Sequence, residues 1–406
     1  MNRELRHGVD WVGHVDWDVR DFHGYRTDRG STYNAYLVRS EKTALIDTVK
    51  APYAEQLLAS IGERVPPAEV DFIVCNHAEP DHSGSLPAIL AACPKARLVC
   101  DEKCRDALGR HYDTSEWDFL VVSDGEELSL GRRRLQFLET PMVHWPESMA
   151  TYLPEEKILF SMDAFGQHYA SAHRFDDEEP LDVLIQEAKT YFANIVMLYS
   201  KPIERVLDRA GEFDIEMIAP SHGVIWRSHV GAILAAYRDW VAHKPRAKVL
   251  VLYDTMWQST QRMAKEIVDG ALECDVDVRL YHVRHTNLTV LATEVLDAAA
   301  IAVGSPTLNR TLMPEVAAVL TYLKGLRPAN KAGLAFGSYG WTRGGATDVQ
   351  EYLKAMKFEI LTDPILAQFV PQPDVLDACR SAGRMLAGRA LASAENAGTA
   401  APRETG

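Results

Sequence analysis

The sequence predicts an α/β protein of two successive domains, on three observations. The chain is 406 residues long, more than the roughly 100–200 typical of one domain. Near residue 245 irregular strand-and-turn patterning gives way to a regular alternation of strands and helices. That alternation requires right-handed crossovers and hence a parallel sheet in the second half.

In the first half, the short β-rich runs YNAYLV, TALIDTV, DFIVCNH, ARLVC and DFLVVS alternate with helical stretches, separated by Gly, Pro and Asp turn signals. In the second, AKVLVLYDT (247–255) reads as a buried strand and STQRMAKEIVDGALE as the helix after it. DVRLYHV (277–283), IAVGSPT (301–307), KAGLAFGSYG (331–340) and a stretch near EILTDPILA supply the remaining strands. Five such strands fit a doubly wound sheet. The expected division is 1–245, 246–390 and a tail, 391–406, whose small and polar residues predict disorder.

Composition narrows the function. Apolar residues at 47% and charged residues at 25% exclude disorder over most of the length. Lys+Arg 43 against Asp+Glu 57 gives a net charge of −14, which argues against a sequence-independent grip on nucleic acid. No segment reaches the ~18 apolar residues of a membrane span and the N-terminus has no signal-type apolar stretch, so a cytoplasmic protein without membrane insertion is expected. The six cysteines include no CxxC; CDEKC (Cys100, Cys104) reads as two ordinary thiols.

The strongest chemical signal is NHAEPDHSGS, directly after the strand-like VDFIVCNH. His77, Glu79, Asp81 and His82 place four potential ligands within six residues, with Pro80 turning the chain between them. Three more candidates follow apolar runs into loops: His144 in TPMVHWPES, Asp163 in ILFSMDAFG and His222 in IAPSHGV. Asp47, Trp145, His168 and Tyr199 are further pocket candidates, although core packing explains Trp145 and Tyr199 equally well and His168 and His173 read more readily as satisfied or surface histidines. This pattern resembles the metallo-β-lactamase fold, an αββα sandwich whose usual motif has His where this chain has Glu79. The resemblance implies that His77, Glu79 and His144 hold one metal, that Asp81, His82 and His222 hold the other, and that Asp163 bridges them. Four imidazoles and three carboxylates favour a pair of non-haem iron ions over zinc. Asp163, His82 and Tyr199 are taken as the candidate catalytic groups, with a role for His82 outside the ligand set left open.

Three loops of the second half each follow a parallel strand, where doubly wound sheets bind ligands. In DTMWQST (254–260), Thr255, Ser259 and Thr260 offer hydroxyls to a phosphate monoester, beside Met256, Trp257 and Gln258. The other two loops contribute Ser305, Pro306, Thr307, Leu308 and Asn309, and Ser338, Tyr339, Gly340 and Trp341. Small residues let the backbone reach the edges of a flat ring that Trp257, Tyr339 and Trp341 can stack on. Together the loops resemble the FMN site of a flavodoxin-like five-stranded domain, departing from it at Arg343 and Gly345, where glycine and glutamate are commoner.

A metallo-β-lactamase-like half followed by a flavodoxin-like half resembles the flavodiiron proteins, over about residues 1–390. The resemblance implies FMN and a di-iron centre, and reduction of dioxygen to water or nitric oxide to nitrous oxide in the cytoplasm. A domain of about 245 residues has a radius of gyration near 18 Å, far for electron transfer across one chain. The resemblance answers this with a head-to-tail homodimer, or a tetramer of two such dimers. It also implies a separate electron donor, a rubredoxin-type iron–sulfur protein or a deazaflavin carrier. The competing readings are a dinuclear zinc hydrolase with a redox-sensing flavodoxin-like half, and a non-enzymatic electron-transfer or gas-sensing module.

Overall fold

Period-two alternation along the first strands decides how their sheet is layered. Tyr36, Val38, Ala44, Ile46, Phe72 and Val74 face one way, and meet Phe137, Met149, Leu153, Ile158 and Phe160 of a second sheet. The intervening Leu37, Leu45, Ile73 and Leu98 face the other way, onto Leu57, Ile61, Leu86, Ile89 and Leu108 of helices Ala54–Gly62, Leu86–Ala92 and Glu102–His111. The computed structural model describes residues 4–399 and divides between Arg238 and Asp239 into two units.

In the first unit a seven-stranded sheet runs in the order Glu4–Arg6, Val9–Trp11, Tyr36–Arg39, Thr43–Ile46, Phe72–Val74, Arg97–Cys100, Phe119–Val121. A five-stranded sheet runs Glu127–Ser129, Arg134–Glu139, Met149–Leu153, Ile158–Met162, Met217–Pro220. This is the metallo-β-lactamase-like sandwich. The loops leaving Phe72–Val74, Arg134–Glu139, Ile158–Met162 and Met217–Pro220 carry all seven candidate metal ligands.

In the second unit the order is Asp277–His282, Arg246–Tyr253, Ala298–Gly304, Ala332–Tyr339, and every neighbouring pair is parallel. The fifth position is shared by two short strands, Glu359–Ile360 and Ile365–Gln368, both paired with Ala332–Tyr339. The single last strand expected near EILTDPILA is therefore interrupted, and the break contains Pro364, which has no N–H for the ladder. Strand order 2-1-3-4-5 is that of flavodoxin-like folds and opens a crevice where the winding reverses, between Arg246–Tyr253 and Ala298–Gly304.

Helix Pro373–Thr399 packs on Ser259–Ala271 through two glycines: a methyl group on Gly270 would meet the Arg380 carbonyl oxygen, and one on Gly383 that of Ile267. This helix corrects the tail expectation, because it continues through 391–399. Three of the nine residues there are alanine, the best helix former, and they extend a helix that Ala387 and Ala390, just before them, anchor in the core. Residues 400–406, also expected to be disordered, lie outside the described residues. Among the described residues no helix is long and apolar enough to cross a membrane.

Candidate metal centre and flavin cleft

Strand Phe72–Val74 delivers the chain into the interior, and Pro80 opens a single helical turn, Pro80–Ser83, that swings Asp81 and His82 back beside His77 and Glu79. Two groups of ligand atoms result. His77, Glu79, His144 and Asp163 form one, and Asp81, His82 and His222 the other, each with its atoms within 4.8 Å of one another. Asp163 divides its two oxygens between the groups. Its Oδ2 lies 3.1 Å from His144 Nε2 and 3.7 Å from His77 Nε2, while its Oδ1 lies 3.2 Å from both His82 Nε2 and His222 Nε2. Glu79 Oε2 completes the first group, 3.1 Å from His77 Nε2 and 3.4 Å from His144 Nε2. Asp81 completes the second, its Oδ2 3.2 Å from His222 Nε2 and its Oδ1 3.5 Å from His82 Nε2.

The electrostatics of this cluster are those of a cation site. Burial alone would raise the Asp163 pKa, but His82, His144 and His222 outweigh it and hold the carboxylate well below its usual range. Burial alone would likewise lower the His82 pKa, yet Asp81 and Asp163 hold it well above 6.5. His144 and His222 are raised to about 9 in the same way, by carboxylates that overcome burial. Asp81 Oδ1, His82 Nε2 and Asp163 Oδ1 are buried without a hydrogen-bond partner, an arrangement too costly to persist unless a further group satisfies them. The donor set and these orphaned atoms fit a pair of metal ions.

A cleft of about 580 Å³ opens on Glu79 and Asp81, and Phe22, His23, Lys50 and Tyr112 also line it. His23 reaches from the hairpin Asp21–Phe22/Tyr25–Arg26 and donates from Nε2 to Glu79 Oε1, 2.6 Å away.

In the second unit a cleft of about 560 Å³ lies at the strand ends, lined by residues of the three loops together with Arg310, Thr342 and Phe369. Thr307 N–H donates to the Ser338 carbonyl (2.8 Å), Thr260 and Ser338 share a hydroxyl hydrogen bond (3.0 Å), and Gly345 N–H donates to Thr307 Oγ1 (3.0 Å). Three separate loops are thus joined around one space. Thr255 Oγ1 is buried without a hydrogen-bond partner beside the start of helix Ser259–Ala271, as the phosphate end of a bound FMN requires. A Cβ on Gly345 would press on the Pro306 and Ser305 carbonyl oxygens, so glycine allows the start of helix Gly345–Ala355 to close on the middle loop.

Two domain families match this chain: an ODP family beta lactamase over residues 32–223 and a flavodoxin over residues 251–383. A nitric oxide reductase of Moorella thermoacetica is 44% identical over 387 residues, covering 94% of this chain and 97% of its own. The flavodiiron protein of Giardia intestinalis superposes with a TM-score of 0.95 at 37% identity, covering 98% of both chains. The chain belongs to the flavodiiron protein family. Rubredoxin oxygen:oxidoreductase of Desulfovibrio gigas is similar to the same extent, with a TM-score of 0.94 at 37% identity over 96% of this chain and 98% of its own.

In this flavodiiron protein the seven ligand candidates converge, but Tyr199 does not join them. It ends the short helix Met197–Tyr199, half-buried, whereas Tyr191 is buried with its ring 5.9 Å from that of His222. Burial, and then the charge of Asp163, keep the Tyr191 hydroxyl protonated far above its ordinary pKa. His168 is buried and satisfied, paired with Ser31 Oγ (2.7 Å) and Tyr25 Oη (3.1 Å). Asp47 stays outside the cluster and accepts from Asn76 N–H and Nδ2, while Trp145 stands edge-on to His77 at 4.8 Å. His173 pairs with Glu179. In the cleft of the second unit, Met256, Trp257, Ser259, Pro306, Thr307, Asn309, Ser338, Tyr339, Gly340 and Trp341 face the cavity, whereas Thr255, Gln258, Thr260, Ser305 and Leu308 shape the loops around it. Arg343 lies over the Tyr339 ring at the rim.

Sequence reasoning missed Tyr191, His23, Glu147, Arg310 and Phe369. Glu147 alone had a visible signal, an acid three residues after a candidate ligand in HWPES.

Proposed function

We propose that this flavodiiron protein is a cytoplasmic oxidoreductase that reduces dioxygen to water, nitric oxide to nitrous oxide, or both, at an iron pair supplied with electrons by FMN. The observation that carries the reading is Asp163, whose two oxygens face two separate ligand sets. His77, Glu79 and His144 would hold one iron, Asp81, His82 and His222 the other, and Asp163 would bridge them. When bound, the iron pair supplies electrons and adjoining sites for a small gas, and FMN supplies single-electron relay.

The protein's own groups do the rest. Glu79 and Asp81 form part of the wall of the 580 Å³ cleft, through which a gas reaches the centre, and Phe22 supplies an apolar wall. Burial holds the Tyr191 hydroxyl protonated, so near Asp163 it offers a neutral hydrogen-bond donor and adds no negative charge to the centre. Thr255, Ser259 and the amides opening helix Ser259–Ala271 would take the FMN phosphate, and the loops at Pro306–Asn309 and Ser338–Trp341 the ring.

Trp257 and Trp341 at the rim of the FMN cleft are 91% and 88% exposed, and Phe369 is 61% exposed. An apolar rim of this kind suits a docking face, and we place the metal-centre end of a second copy there, in a head-to-tail homodimer. A rubredoxin-type iron–sulfur protein would deliver electrons to the flavin. Purified protein loaded with iron and FMN is therefore expected to oxidise NADH slowly if at all, and to consume dioxygen or nitric oxide rapidly once a rubredoxin and its NADH-dependent reductase are added. Rapid NADH oxidation without a carrier would contradict the separate donor, and a monomer with full turnover in sedimentation and activity measurements would contradict the dimer.

A further inference from the structure

His77 is wholly buried, and its two ring nitrogens face opposite ways. Nε2 looks into the ligand cluster, towards Glu79 and Asp163. Nδ1 looks away from it and donates to Glu147 Oε1 at 2.8 Å. The same oxygen accepts from Ala78 N–H at 3.3 Å. Glu147 is only 3% exposed, and among the described residues its one ion-pair partner is His77. A carboxylate so deeply buried, with no lysine or arginine among its ion-pair partners in the described residues, is costly unless it serves the imidazole it touches.

The backbone around Glu147 gives it a second effect. Residues 140–148 form the loop that carries His144, three residues earlier, into the same ligand group as His77. The loop is closed on itself by Thr140 N–H to Ser148 O (2.8 Å), Met142 N–H to Trp145 O (2.7 Å) and Trp145 N–H to Ser148 Oγ (3.1 Å). It is joined to the first ligand loop by Met149 N–H to Asn76 O (3.0 Å). His144 therefore enters the cluster from the front, and Glu147 grips His77 from behind.

We propose that Glu147 is a positioning residue of the metal centre. It fixes the His77 tautomer with the proton on Nδ1, leaves Nε2 free to bind iron, and locks the His144 loop to the His77 loop. A carboxylate behind an imidazole ligand also makes the ring a stronger electron donor, which favours the oxidised metal. The inference rests on the reading of His77 as an iron ligand.

The test compares wild type, Glu147→Gln and Glu147→Ala as full-length, iron-loaded proteins. Iron retention is measured against a chromophoric chelator, and the reduction potential of the iron pair by anaerobic spectroelectrochemical titration. Glu147→Ala is expected to lose iron roughly 10–100-fold more readily. Glu147→Gln keeps an acceptor oxygen for Nδ1–H but no charge, so it should recover most of the affinity while its iron pair becomes easier to reduce. A purely structural glutamate would change thermal stability and leave the potential where it was. Glu147→Ala that folds, keeps both irons as wild type does and shows an unshifted potential overturns the proposal. If Glu147→Ala fails to fold, an unshifted potential in Glu147→Gln overturns it. Wild-type protein that takes up no iron overturns the underlying reading and this inference with it, whereas wild-type uptake with an indifferent Glu147→Gln overturns the inference alone.

Discussion

Replacing Asp163 with alanine is expected to empty both halves of the metal centre at once. Each of the other six candidate ligands serves one group, but the two Asp163 oxygens face His77 and His144 on one side and His82 and His222 on the other. Removing the carboxylate takes a ligand from each group and leaves Glu79 and Asp81 as the only ligand anions to offset two metal ions, whose like charges would repel strongly in so dry a site. The loss of iron affinity should exceed the roughly 10–100-fold typical of losing a partner outside the ligand set, and gas reduction should fall to background. Iron per protomer and gas consumption, measured on one preparation, check this. Asp163→Ala retaining two irons and appreciable turnover would remove the bridging role.

The second large effect should fall on the flavin and leave the iron in place. Valine at Gly345 would drive its branched side chain against the Pro306 and Ser305 carbonyl oxygens, which are backbone and cannot rotate away. The loop carrying Pro306–Asn309 must then move off the helix start at Gly345, and the Gly345 N–H to Thr307 Oγ1 bond is lost. Overpacking of this kind costs about 1–3 kcal/mol, which at about 1.4 kcal/mol per decade weakens FMN binding roughly 5–140-fold. Flavin released on denaturation, divided by protein, should fall accordingly, together with donor-driven turnover. Iron content should not change, because the metal ligands all lie in the other unit, whose two sheets form a core of their own. Parallel loss of iron would mean that the two sites are not independently built.

How far the sequence was legible depends on how local each signal is. His77, Glu79, Asp81 and His82 stand within six residues, and acids and imidazoles so crowded after a buried strand declare a cation site without any knowledge of the fold. The flavodoxin-like half was legible because strand and helix periods alternate cleanly from residue 246 onward. Tyr191 was not, because the helix Leu181–Tyr191 passes into a π turn, Phe192–Val196, and then a tight turn, Met197–Tyr199. Across such irregular turns helical spacing no longer tells which tyrosine faces inward. Glu147 showed only as an acid three residues after His144; its pairing was not legible, because its partner is a histidine seventy residues earlier in the chain, met only when the two sheets close. The first part of the tail was misread because its small residues have the composition of a linker, yet residues 391–399 continue a helix already anchored by the burial of Ala387 and Ala390.

The central claim, gas reduction at an iron pair fed by FMN, is tested most directly by anaerobic stopped-flow spectroscopy. Protein loaded with iron and FMN is chemically reduced, then mixed separately with dioxygen and with nitric oxide, and its metal content is measured on the same sample. The account predicts about two irons per protomer and reoxidation of flavin and iron within the mixing timescale by at least one gas, the faster gas being the preferred substrate. A centre that holds zinc and is reoxidised by neither gas would contradict it.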